Sequence, residues 1–168
     1  MPTTITGTDG VSQVQTGAVE SGDLPAGSVI QVVEATITSP TNANSTSYVN
    51  SNIQASITPY NSSNKILVFA SISADFIREN NDLTGLYQRL IREPSQILTE
   101  KFGFIGAQPS STGFIYSHIN DFIASIDFPN TTSEVTYKVQ GKVSDNANAA
   151  QIRYQQGTSK MFLLEIAG

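Results

Sequence analysis

The sequence predicts an all-β fold: an antiparallel β-sandwich of the jelly-roll kind, preceded by an extended N-terminal arm. Three observations predict it. Apolar side chains recur with a period of two through much of the chain, as at Ile53, Ala55 and Ile57 or Val135, Tyr137 and Val139. About eight such runs follow one another at roughly 10 to 15 residue spacing, separated by clusters of Asn, Gly, Pro and Ser. Charged residues make up only 14% of the chain. Ser, Thr, Asn and Gln fill the balance, which suits strands that face solvent or a partner.

The elements follow in order. Residues 1–27 form the arm, closed by the turn signal Pro25-Ala26-Gly27. Apart from Met1 and the prolines, its apolar side chains larger than Ala are few: Ile5, Val11, Val14, Val19 and Leu24. Such a segment buries too little apolar surface to offset the entropy of ordering it, so a partner must hold it. These five residues are the candidate anchoring positions. Residues 28–168 form the sandwich. VIQVVEATIT is its first strand, and SPTNANSTS reads as a polar loop. YVNSNIQASITP is a strand with Ile53, Ala55 and Ile57 on one face.

KILVFASISADF is apolar on both faces at its start, as a sandwich interior requires. LYQRLIRE fits a helix or a strand and ends at Pro94. QILTEKFGFI is a short strand. The long run Gly113–Pro129 is purely apolar on neither face, which predicts a bulge or break near Asn120. EVTYKVQGKV is a half-exposed antiparallel strand; QIRYQ and KMFLLEIAG complete the set. Ile66, Phe69, Phe114, Tyr116 and Phe122 are candidates for core or inter-subunit packing, with the core the blander assignment.

Composition narrows the function. The net charge is −5 with no basic stripe, which argues against a nucleic-acid partner. There are no cysteines, so no disulfide framework, thiolate metal site or cysteine nucleophile exists. MPTTITGTDG lacks the basic and apolar regions of a signal peptide, and no run of 18 apolar residues predicts a membrane span.

The chemistry-bearing residues read as structural. His118 is the single histidine and, without a second His or a Cys, makes no metal constellation. Asp121 and Asp127 share a strand face but stand on the order of 20 Å apart if extended, beyond the roughly 10 Å that a glycosidase pair requires. Glu79–Asp82 and Asp145–Asn148 offer oxygen ligands for calcium, but neither fits an EF-hand loop, and Asn and Asp are ordinary turn formers. Arg89 and Arg92, near Tyr87, could read anionic sugars or phosphates, but the simpler reading is solvated charges on a strand or short helix, pairing with Glu93 or Glu100. No catalytic residue, metal ligand or cofactor is expected.

The strings GSVIQVVEATITS, ITPYNSSNKILVFASISADF, DFPNTTSEVTYKVQGKV and the final MFLLEIAG together resemble a group of small virion proteins of tailed bacteriophages. Many of these come from phages of cyanobacteria and marine bacteria, and they are often labelled tail fibre. The resemblance covers most of residues 27–168; ITGTDGVSQVQTG also looks like segments that lead into phage fibre modules. The turn at Asp127–Asn130 and the long run before it depart from the shorter family forms, so no binding residue carries over.

The resemblance implies a non-enzymatic virion protein, made in the bacterial host cytoplasm. The expected form is a tail-fibre-like homotrimer anchored by its arm. Its partners would be copies of itself, other virion proteins of the tail, baseplate or capsid, and a host-surface glycan. Residues 1–27, fully extended, would reach on the order of 80 to 90 Å, enough to cross a neighbouring subunit and add a strand to its sheet. The alternative is a capsid decoration (cement) protein. A second alternative is a carbohydrate-active tailspike enzyme, against which the missing solenoid repeat and close carboxylate pair count.

Overall fold

A computed structural model of the chain describes residues 23–37, 39–79, 84–105, 114–144, 150–154 and 159–168. For residues 78, 79, 84, 104, 105, 114–116, 150 and 151 it describes the backbone. The described residues form ten strands: β1 (Val29–Thr36), β2 (Thr41–Ala43), β3 (Val49–Ile57), β4 (Lys65–Glu79), β5 (Thr84–Arg92), β6 (Gln96–Ile105), β7 (Phe114–Asp127), β8 (Val135–Val143), β9 (Ala150–Tyr154) and β10 (Lys160–Ile166).

All pairings are antiparallel, in two sheets. Sheet A runs β1-β10-β4 with β7 on the far side of β4, and β9 and β2 continue it beyond the end of β10. Sheet B runs β3-β8-β5-β6. The chain is therefore an all-β antiparallel sandwich. LYQRLIRE resolves as strand, because β5 pairs with both β6 and β8.

The alternation in sequence becomes the core. Ile66, Val68, Ala70, Ile72, Ala74 and Phe76 of β4 all point between the sheets and are buried. They meet Ile53, Ala55 and Ile57 of β3, Tyr137 and Val139 of β8, and Met161 and Leu163 of β10. Gly141 belongs to this face because nothing larger fits: a Cβ there would lie 2.1 Å from the Tyr154 hydroxyl.

Two expectations are corrected. Residues 39–47 are not entirely loop, since β2 pairs with β9 there; three residues are too few for periodicity to reveal. No break occurs near Asn120: β7 pairs with β4 without a register shift from Phe114 to Asp127. Its inward face is partly polar for another reason. Asp127 accepts from Arg92 Nη1 of sheet B at 2.6 Å and from the Tyr137 hydroxyl at 2.8 Å. A polar residue on an inward face here bridges the sheets instead of marking a bulge. Arg92 thus pairs with neither Glu93 nor Glu100. Glu93 pairs with Lys138, and Glu100 accepts from Tyr48.

One side chain repairs a gap in sheet A. β4 pairs with β10 up to Ser71 and with β9 from Ala74. Between them, buried Ser159 accepts from the Ser73 N–H at 2.9 Å and donates to the Ser73 carbonyl at 3.1 Å. Both backbone groups are satisfied where neither neighbouring strand reaches them.

The two ends of the sandwich differ. At one end Gly27 and Ser28 hydrogen-bond to Ala167, so the described start and finish of the chain lie side by side. Glu165 is fully buried there, accepting from Gln31 Nε2 and Asn64 Nδ2 at 2.6 Å each and from the Tyr60 N–H at 2.8 Å. The turn at 58–64 is thereby tied to β1 and β10. The strand ends at Glu79, Thr84, Ile105, Phe114, Val143 and Ala150 gather at the opposite end.

Candidate functional site

A strand presents alternate side chains to opposite faces, so the residues between the core positions of sheet A point outward. The register aligns them in rows across four strands. Val32, Leu164, Leu67 and Ile126 form one row. Glu34, Phe162, Phe69 and Ala124 form the next, and Thr36, Lys160, Ser71 and Phe122 the third. The outcome is an apolar surface on the half of the sheet nearest Gly27. Val32 is 58% exposed, Phe122 63% and Ile126 57%. Phe69 and Phe162 are half-buried and stack with ring centroids 4.8 Å apart.

The outer face of sheet B is built differently. Arg89 and Lys142 lie over the Tyr48 ring, 3.8 and 4.7 Å from its centroid. Tyr87 and Phe102 pack at 4.6 Å, and Gln140 bonds to Arg89 and Asn50. Ser56 and Thr136 hydrogen-bond across β3 and β8. Burial and the Glu100 carboxylate raise the Tyr48 hydroxyl well above the ordinary tyrosine range. This face is a mixed-charge, water-compatible surface. One outer face resembles the exposed side of a solvated antiparallel sheet; the other presents a second apolar layer.

The far half of the outer face of sheet A is polar. His118 stands opposite Asp75 across β4 and β7, with Nδ1 2.9 Å from Asp75 Oδ1. Its Nε2 lies 3.4 Å from Ser73 Oγ. Sheet geometry alone brings this Ser–His–Asp set together, since Ser73 and Asp75 share a face and His118 sits across from them. Among the described residues it lacks the rest of a hydrolytic site. Ser73 is mid-strand, and its N–H is taken by Ser159, so it offers no donor for an oxyanion. Beside it, a cleft of about 500 Å³ opens between β6 and β7. Leu86 and Gln88 lie within it, along with Lys101, Phe102, His118 and Asp121. Lys101 donates to Asp121 Oδ1 at 2.9 Å, so the opposite charges neutralise each other.

The sequence-derived candidates are thereby separated. Ile66 is a fully buried core residue. Phe69 and Phe122 lie on the outer face of sheet A, and at Phe122 the core assignment is corrected: an even-numbered position in unbroken β7 points away from the core. Phe114 and Tyr116 are in β7, with side chains outside the described residues. Leu24 is half-buried beside the turn at Pro25, while Ile5, Val11, Val14 and Val19 lie outside the described residues, as do the oxygen-rich stretches 80–83 and 145–149. Sequence reading missed the row Val32–Leu164–Leu67–Ile126. Its trace is that ILVFA (66–70) and MFLL (161–164) are apolar at successive positions, which serves a strand covered on both sides.

Among the described residues no group of three or more His, Cys, Asp or Glu is placed to hold a metal ion, and no helix is long and apolar enough to cross a membrane.

Solved structures of virus particles show a distant likeness. A structure of infectious bursal disease virus, Gx strain, matches 84% of this chain and 34% of its own, with a TM-score of 0.34 and 12% identity. An infectious bursal disease viral particle matches 81% of this chain and 35% of its own, with a TM-score of 0.33 and 9% identity. A mutant VP2 protein of the same virus, from derived T=1 particles, matches 83% of this chain and 41% of its own, with a TM-score of 0.32 and 9% identity. This chain thus spans well under half the length of those it matches. No protein-family model and no curated protein matches it.

Proposed function

We propose that the chain is a non-enzymatic structural component of a virus particle, docked through the outer face of sheet A and anchored by its N-terminal arm. The observation that carries the proposal is the unlike character of the two outer faces, one solvated and one apolar. An exposed apolar surface rimmed by charge is characteristic of a protein–protein contact.

Within this reading the particle is a tailed phage and the chain a tail-fibre-like homotrimer, following the sequence resemblance. Closed cyclic assembly is the usual form for such copies. The strand orders β1-β10-β4-β7 and β3-β8-β5-β6 support a jelly-roll winding, in which the chain weaves repeatedly between the two sheets. The end bearing Gly27 and Ala167 is the anchored end. The opposite end faces outward, and the neighbouring β6–β7 cleft, mixed polar and apolar and charge-balanced, suits a neutral host-surface glycan.

The capsid decoration reading draws on the same apolar face, which is as broad as four strands and suits docking on a capsid surface. Copy number separates the two: hundreds per particle favour decoration, a few dozen or fewer favour a fibre.

Removing residues 1–24 tests the anchor. The truncated protein is expected to fold and melt like the full chain and to be missing from purified particles. Normal loading of the truncated protein would overturn the reading. Depolymerisation of host polysaccharide that is lost in Ser73→Ala would overturn its non-enzymatic part.

A further inference from the structure

We propose that residues 1–22 of one copy lie across the apolar outer face of sheet A of a neighbouring copy. This rests on the assembly reading above and names the surface the arm occupies.

Four observations bring the two together. Beyond Met1 and Pro2, the arm carries four apolar side chains larger than Ala, at Ile5, Val11, Val14 and Val19, and needs an external apolar surface. The outer face offers one, with Val32, Phe122 and Ile126 each more than half exposed. Position agrees as well: the arm joins the sandwich at the Pro25–Gly27 turn, at the apolar end of that face. Reach is ample, because 22 extended residues span about 70 Å, whereas four strands are only about 15 Å across.

Charge does not oppose the contact. Residues 1–22 contain Asp9 and Glu20 and no Lys or Arg. The apolar face is bordered by Lys65, over the Phe128 ring, and by two lysines that already have acidic partners, Lys101 with Asp121 and Lys160 with Glu34.

The contact is made on the face and not at the edge of β7 beside Phe122. There the Phe122 N–H donates to Asp121 Oδ1 at 2.8 Å and its carbonyl accepts from Lys101 Nζ. Side chains occupy the backbone groups an added strand would need, a common protection of sheet edges.

The chain has no cysteines, so introduced thiols report alone. Val14→Cys and Phe122→Cys chains, differently tagged, are co-expressed and oxidised. Val14→Cys with Gln54→Cys, on the solvated face of sheet B, serves as reference. The expected result is a mixed disulfide between the first pair at least tenfold above the reference. Equal yields overturn the proposal. So does a chain carrying both Val14→Cys and Phe122→Cys that closes only on itself. Sedimentation of the unmodified protein separates the failures. An oligomer without the preferred disulfide removes this inference and leaves the homotrimer standing; a monomer removes both this inference and the homotrimer.

Discussion

Phe69 on β4 stacks against Phe162 on β10, centroids 4.8 Å apart and planes 19° from parallel, on the side of sheet A that faces away from the core. An aromatic pair outside the core stabilises the sheet itself. Phe162→Ala is expected to cost about 1 to 2 kcal/mol, combining lost area with the pair interaction. Phe122→Ser and Ile126→Ser, at more exposed positions, are expected to cost under about 0.5 kcal/mol each. Urea unfolding of the isolated protein checks this ordering.

Ser159 tests the repair of sheet A. In Ser159→Ala the Ser73 N–H and carbonyl lose their partner inside the protein. The expected loss is about 2 to 3 kcal/mol, larger than for an exposed serine, because two buried backbone groups are left unpaired. Hydrogen exchange at the Ser73 amide is expected to accelerate more than exchange at Val68.

The Arg92–Asp127–Tyr137 group ties the sheets together. Arg92→Met leaves the Asp127 carboxylate short of its cation and is expected to cost about 2 to 3 kcal/mol, less than for a wholly buried pair because Arg92 is partly exposed. Burial, then the hydrogen bond to Asp127 and its negative charge, raise the Tyr137 hydroxyl far above the ordinary tyrosine range. The folded state therefore holds that proton after the unfolded chain has released it near pH 10. Stability is full below that pH and falls above it, approaching about 1.4 kcal/mol per pH unit for each such tyrosine. Tyr137→Phe lowers stability near neutrality by about 1 kcal/mol and flattens the alkaline slope, as measured by unfolding at pH 8 and above pH 10.

Gly141 and Tyr154 are coupled by space. Gly141→Ala is expected to cost about 1 to 3 kcal/mol, since its Cβ would meet the Tyr154 hydroxyl. Tyr154→Phe removes a buried oxygen that has no well-formed hydrogen bond among the described residues, so alone it is close to neutral. Combined with Gly141→Ala it restores part of the loss, because Tyr154 Cζ would remain 3.2 Å from the added carbon. A double-mutant cycle in urea measures the coupling.

Much of the fold was legible because period-two alternation at Ile53–Ile57 and Val135–Val143 has a single physical reading in a one-sided strand. Two-sided strands were harder. Phe69 and Leu164 look like core residues in sequence, and only the register across β1, β10, β4 and β7 shows them gathered on the outer face. Asp127 misled in the opposite sense. It is a buried carboxylate whose partners, Arg92 and Tyr137, lie 35 and 10 residues away in the chain, and no local pattern announces such a contact. Ser73, Asp75 and His118 were unreadable as a group for the same reason: pairing of β4 with β7 juxtaposes them.

The central claim is that copies of the chain assemble through the outer face of sheet A. Sedimentation velocity of the full chain and of the Phe122→Ser/Ile126→Ser variant, across micromolar concentrations, tests it most directly. The account predicts a discrete oligomer for the unmodified chain and a folded monomer for the variant. A monomeric unmodified chain, or a variant that keeps the same oligomer, would contradict it.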